Sequence, residues 1–211
     1  MSFDQERKTA LVLFTLSARE EARVKDFSDL HSFHTNELIA TELISHAEQV
    51  TRQSGLPSFI FGPELQKGNA FGEKLGYAFE SIFALGFENV IAIGNDCPEL
   101  TPNDITTSAL QLETHDAVIG PDAKGGLYLI GLNRYQFDLE SFYLLPWESQ
   151  QLATSFFRYL SAQNASVHVH SIKSDISTYK EMVLVLKKNI TALRFKFRLL
   201  SILASCGFKC V

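Results

Sequence analysis

The sequence predicts an α/β fold, a single domain with a mostly parallel central sheet flanked by helices on both faces. Three observations carry that expectation. Short apolar runs alternate along the chain with longer segments whose apolar residues recur every three or four positions, the pattern of strands alternating with covering helices. The 211 residues, 45% of them apolar, suffice for one sizeable core. No internal repeat and no Gly/Ser-rich linker divides them.

Ala10–Leu16 is short, apolar and suited to a buried strand. Ser17–Lys25 is polar and charged, a solvated helix start. Across Asn36–Val50, residues Leu38, Ile39, Leu43, Ile44 and Ala47 keep helical spacing. Gly55-Leu56-Pro57 breaks that helix, and Ser58–Phe61 can form the second strand. Glu73–Leu85 is helical by pattern and stops at Gly86. Asn89–Gly94 is a central strand. Thr101-Pro102-Asn103-Asp104 offers a hydroxyl cap, a proline in the first turn and an acid three residues past the cap, so a helix starts there and ends near Thr114. Ala117–Gly120 and Leu127–Leu132 are strands on either side of a turn-rich PDAKGG. Glu148–Ser161 is a further helix and Ser166–Ile172 a further strand.

The formal charge of −5 is unevenly spread. Six of the 19 basic residues and none of the 24 acids lie between Lys187 and Val211, so residues 1–186 carry −11 and the tail +6. The acidic body argues against a nucleic-acid binder. We divide the chain into a domain, 1–186, and a basic appendage, 187–211. Three cysteines are too few for a disulfide framework, and neither a signal peptide nor a run of about 18 apolar residues stands out. The expectation is a cytoplasmic protein with reduced thiols.

Ligands of open α/β sheets sit beyond the carboxyl ends of the strands. Gly94-Asn95-Asp96-Cys97-Pro98-Glu99-Leu100-Thr101 is such an end. Asp96 there is suited to a hard cation, Mg²⁺ or Mn²⁺, or simply to satisfying amides of the turn. In Gly120–Gly131 the paired Gly125 and Gly126 permit close approach of backbone to a ligand, or make an ordinary hairpin.

Four segments together carry a resemblance. They are Gln66-Lys67-Gly68-Asn69-Ala70-Phe71-Gly72-Glu73-Lys74-Leu75, then GNDCPELT, then GPDAKGGLYLIGL, then Phe142…Pro146-Trp147-Glu148-Ser149. In order and spacing from about Leu65 to Thr154 they resemble the small bacterial glycosyltransferase-like proteins of the nucleotide-diphospho-sugar transferase superfamily, of GT-A fold. The resemblance implies metal-dependent transfer of a sugar or related group from a nucleotide-diphosphate donor. It implies Asp96 as ligand of Mg²⁺ or Mn²⁺, and Thr15, Arg23, Lys25, Gly72 and Asn95 around the nucleotide. Asp122 would be the catalytic carboxylate, and Gly125, Gly126, Trp147 and Glu148 would face sugar or acceptor. Trp147 is equally suited to be a core or rim aromatic.

The departures fall at chemical positions. The family's basic, Gly-containing first loop is here Phe14–Phe27, with Glu20 and Glu21 where a diphosphate would be repelled. Only Arg23 or Lys25 is placed to serve a phosphate. Lys124 replaces the acid of D-G-G, as a phosphate partner or a surface lysine. In the D-I-D motif, Asp175-Ile176-Ser177 keeps one acid, expected to cap a helix near Ser177. These losses favour an alternative function, a catalytically impaired homologue that binds nucleotide or a protein partner without turnover.

Elsewhere, His168 and His170 have metal-compatible spacing without a third ligand, and His31 and His34 lie in a polar stretch. Cys97 is expected to be a small buried thiol. The tail is suited to an anionic inner-membrane surface or to a homodimer contact, with Cys206 and Cys210 one turn apart. Alternatively Ile190, Leu193, Phe197 and Leu200 form the buried stripe of a helix docked on the sheet.

Overall fold

A computed structural model describes residues 8–28, 32–188 and 193–207. In chain order the elements are β1 (Thr9–Phe14), α1 (Ala18–Val24), α2 (Phe33–Gln53), β2 (Ser58–Phe61), α3 (Phe71–Ala84), β3 (Asn89–Ile93), α4 (Pro102–Gln111), β4 (Ala117–Pro121), β5 (Leu127–Asn133), α5 (Leu139–Tyr143), α6 (Leu152–Ala162), β6 (Val167–Val169), α7 (Tyr179–Lys187) and α8 (Leu193–Ser205). Six strands form one sheet in the order β2-β1-β3-β5-β4-β6. β1 pairs in parallel with β2 and β3, and β4 with β6, while β5 runs against both its neighbours.

β1 and β3 are buried along their whole length because both faces of the sheet are covered. On one face Val12 and Val90 meet Phe79 of α3, Phe142 of α5 and Phe156 of α6. On the other, Leu11, Leu13 and Ile91 meet Val50 of α2 and Ile105 of α4. The α4 start forms as its sequence dictates: Thr101 accepts from the Asp104 amide, and the Asp104 carboxylate takes the Thr101 amide at 2.8 Å.

Several boundaries differ from the sequence reading. The first strand ends at Phe14 because Ser17 caps α1. The expected helix from Glu148 starts only at Leu152, since Glu148 takes a left-handed φ of 57° that a helix cannot include. The strand expected over Ser166–Ile172 shrinks to Val167–Val169. α8 docks on α2 and α7, not on the sheet, and buries Phe195, Leu199 and Leu203. Leu193 and Phe197, expected in the buried stripe, are 60% and 67% exposed. Ile190, like His31 and Cys210, lies outside the described residues. Among the described residues no helix is long and apolar enough to cross a membrane.

Candidate active site

Strand order reverses between β1 and β3, and a cleft of about 700 Å³ opens beyond their carboxyl ends. One wall is the turn after β1 (Thr15, Leu16) with Lys25, another the turn after β3 (Gly94, Asn95, Asp96). The hairpin residues Asp122, Lys124 and Gly126 face them, and Trp147 and Glu148 close a third side.

Each wall has a local cause. Gln66 ties the ends of β1 and β2 together through its Nε2, which donates to the carbonyls of Thr15 at 2.9 Å and Phe61 at 3.0 Å. Thr15 spends its own hydroxyl on the Leu16 carbonyl. Ser17 caps α1 reciprocally with Glu20, so that glutamate is consumed by the helix start. Glu21 instead turns inward, buried, and lies 3.0 Å from the Lys25 ammonium. Lys25 reaches on to Asp96, Nζ to Oδ2 2.9 Å. Burial opposes charge on both groups, but their mutual attraction outweighs it: Lys25 is held above, and Asp96 below, its ordinary range.

Asp175 is the residue that sequence reasoning misplaced. The cap of α7 is Thr178, with Glu181 completing a capping box, so Asp175 caps nothing. The segment after β6 bridges Lys173 to Asp122 and donates the Ile176 amide to the Asp96 carbonyl at 2.7 Å. That path puts Asp175 in the cleft beside Asp96 and Asp122. Burial, then the Asp96 charge, then a hydrogen bond with Asp122 push its carboxyl up to about 9, so it is neutral at pH 7. Its Oδ1 and the Asn95 Nδ2 are buried polar atoms without a hydrogen-bond partner in the protein. The surviving acid of the D-I-D motif was the signal for this placement.

Other expected residues fall differently. Arg23 is exposed and off the cleft, because the helical turn that brings Lys25 inward sends it outward. Gly72 lies behind the wall: a Cβ there would run into the Trp147 indole. Gly125, at φ 90°, is required by the Gln150 carbonyl packed against it and does not line the cleft. Gly126 lines it, with the Asp122 carboxylate against its Cα. Asp122 is tied to its own turn, one oxygen accepting the amides of Lys124 (2.6 Å) and Gly126 (2.8 Å). Trp147 both lines the cleft and packs on Phe71 and Phe142, with Nε1 donating to the Phe142 carbonyl. Lys124 pairs with Glu181 at 3.3 Å. Cys97 is buried, as expected.

A divalent cation fits these residues in an open form only. Asp96 is a hard carboxylate donor, and the orphaned oxygen of Asp175, whose carboxyl would have to release its proton, lies in the same cleft, a set that suits Mg²⁺ or Mn²⁺ only when completed by phosphate and water. Among the described residues no three His, Cys, Asp or Glu side chains converge into a closed cage.

The model of the family described as an uncharacterized protein conserved in bacteria (DUF2064) matches residues 35–149, more than half of the chain. The chain belongs to this family. Among solved structures, this DUF2064 protein is similar to a candidate nucleotide-diphospho-sugar transferase from Desulfovibrio desulfuricans (TM-score 0.82, 18% identity, 95% of this chain and 96% of that one). It is also similar to Rv0371c from Mycobacterium tuberculosis in complex with manganese (0.51, 10%, 86% and 100%). A third is 4-diphosphocytidyl-2C-methyl-D-erythritol synthase from Anaerococcus prevotii (0.50, 10%, 85% and 97%). These likenesses show the nucleotide-diphospho-sugar transferase fold. No curated protein matches the sequence.

Proposed function

We propose that the cleft binds the diphosphate of a nucleotide-activated sugar together with Mg²⁺ or Mn²⁺, and that the protein is a glycosyltransferase-like enzyme. The observation that carries this reading is a set of buried cleft atoms without a hydrogen-bond partner in the protein: a donor on Asn95 and an acceptor on Asp175, beside Glu21 Oε2, which faces the Lys25 ammonium at 3.0 Å. Buried polar atoms cost about 1–3 kcal/mol each when left unpaired, so two in one cleft point to a ligand that pairs them. Asp96 would hold the cation, joined by Asp175 once its proton is released to solvent; the bound cation would neutralise charge that develops on the departing nucleoside diphosphate. Thr15, Asn95 and Lys25 stand on the nucleotide side, Trp147, Glu148 and Gly126 on the sugar side. Manganese in the complex of Rv0371c, a protein of the same fold, supports the choice of cation.

A second reading, binding without turnover, has its own observation. One oxygen of Asp122, the carboxylate that would act as base, already accepts two backbone amides and is held to its own turn. The two are separated by titrating nucleotide sugars with Mn²⁺ and then assaying release of nucleoside diphosphate. Binding with release is expected of a transferase, and binding without release of the impaired form. No binding of any nucleotide sugar or nucleoside diphosphate contradicts both.

A further inference from the structure

The cation on Asp96 in this structure belongs to the protein itself. The Lys25 ammonium bridges Asp96 Oδ2 at 2.9 Å and Glu21 Oε2 at 3.0 Å, and Glu21 is almost wholly buried. Lys25 is the C-cap of α1, in extended backbone, so its side chain starts from a fixed point and its charge rides on a flexible four-carbon stem. The cleft around it keeps a small acidic surplus: Glu21, Asp96, Asp122 and Glu148 line it against Lys25, Lys74 and Lys124, with Asp175 protonated beside them. A diphosphate entering alone would meet that acidic surplus, with the nearest ammonium already shared between two carboxylates.

We propose that Lys25 is an exchangeable counter-ion: it holds Asp96 in the unliganded protein and passes to the diphosphate when a divalent cation takes Asp96. The inference rests on the metal-assisted nucleotide reading above. The exchange keeps every buried charge paired. Asp96 trades an ammonium for a divalent ion, and Lys25 trades a carboxylate for a phosphate oxygen, so neither is left alone at the several-kcal/mol cost of an unpaired buried charge. Glu21 tethers the ammonium at the cleft during the trade, which explains a buried glutamate where the resemblance expects a basic loop. Metal and nucleotide binding then become cooperative, because each makes available the partner that the other needs.

The test is Lys25→Met, read by two affinities. Mn²⁺ binding without nucleotide, followed by electron paramagnetic resonance, should tighten by about tenfold because the competitor is gone. Affinity for uridine, guanosine, cytidine or adenosine diphosphate at saturating Mn²⁺ should weaken by about tenfold because a phosphate contact is gone. A Lys25 that merely cross-links α1 to β3 would weaken both, and that result overturns the proposal. So does an unchanged Mn²⁺ affinity. If neither wild type nor variant binds Mn²⁺ or nucleotide, the functional reading itself fails; if wild type binds both and the opposite shifts are missing, only the exchange fails. The unaltered protein gives a check independent of the folding of the variant. In a crystal with Mn²⁺ and nucleoside diphosphate, Lys25 Nζ should lie on phosphate, and Nζ still on Asp96 overturns the proposal.

Discussion

At the scale of single residues, Asp175 makes the sharpest prediction. Its carboxyl is ordinarily at 3.8 and here is pushed up to about 9 by burial and the Asp96 charge. Between those values the folded protein keeps a proton that the unfolded chain releases, so this residue makes stability fall as pH rises from about 4 to about 9. Asp175→Asn removes that contribution. Melting temperatures measured from about pH 5 to pH 8 should therefore converge on, or cross below, those of the variant as pH rises. Parallel curves would mean that Asp175 ionises normally. Lys124 is the complementary case. Lys124→Asp removes the ion pair with Glu181 and adds an acid to the cleft, so Mn²⁺ affinity in calorimetry should rise several-fold. An unchanged value would show that this lysine does not weaken the site.

At the scale of elements, strands and most helices were legible because their signals are local. Capping at Thr101, the breaks at Gly55 and Gly86 and the apolar run of β3 each act within a few residues. The lining of the candidate cleft was legible only where a motif lies on one segment, as with Asn95-Asp96 and Trp147-Glu148. What joins segments was not. Nothing near Lys25 in sequence shows that its partner is Asp96, 71 residues away. Nothing near Asp175 shows that a bridge from Lys173 to Asp122 will carry it into the cleft instead of onto a helix end. The paired glycines show the same limit: their spacing left ligand approach and hairpin open, and Gly125 serves the packing of Gln150. Gly125→Ala should cost about 1–3 kcal/mol, because φ of 90° is strained for alanine and its Cβ meets a backbone carbonyl. The midpoint of urea denaturation checks this, and an unchanged midpoint would show that the hairpin and the Gln150 turn can shift apart freely.

At the scale of the whole molecule, the uneven charge has two structural correlates. The acidic body brings several carboxylates to the cleft, where the Lys25 ammonium pairs with Asp96. The basic tail contributes α8, whose buried side fills the groove with α2 and whose other side exposes Leu193 and Phe197 beside Arg194. Removing the helix would strip Phe195, Leu199 and Leu203 from the core, so point variants test its surface better than truncation. For the expectation of an anionic-membrane contact, the double variant Leu193→Ser, Phe197→Ser should bind vesicles rich in anionic lipid several-fold more weakly than wild type in a sedimentation assay. Equal binding would remove these two residues from any lipid contact.

We propose that this DUF2064 protein holds a nucleoside diphosphate through a cation on Asp96. Calorimetric titration of nucleoside diphosphates with and without Mn²⁺, on wild type and on Asp96→Ala, tests it most directly. Binding should need Mn²⁺ in the wild type and be lost in Asp96→Ala. Binding that ignores Mn²⁺, or that survives in Asp96→Ala with unchanged affinity, would contradict it.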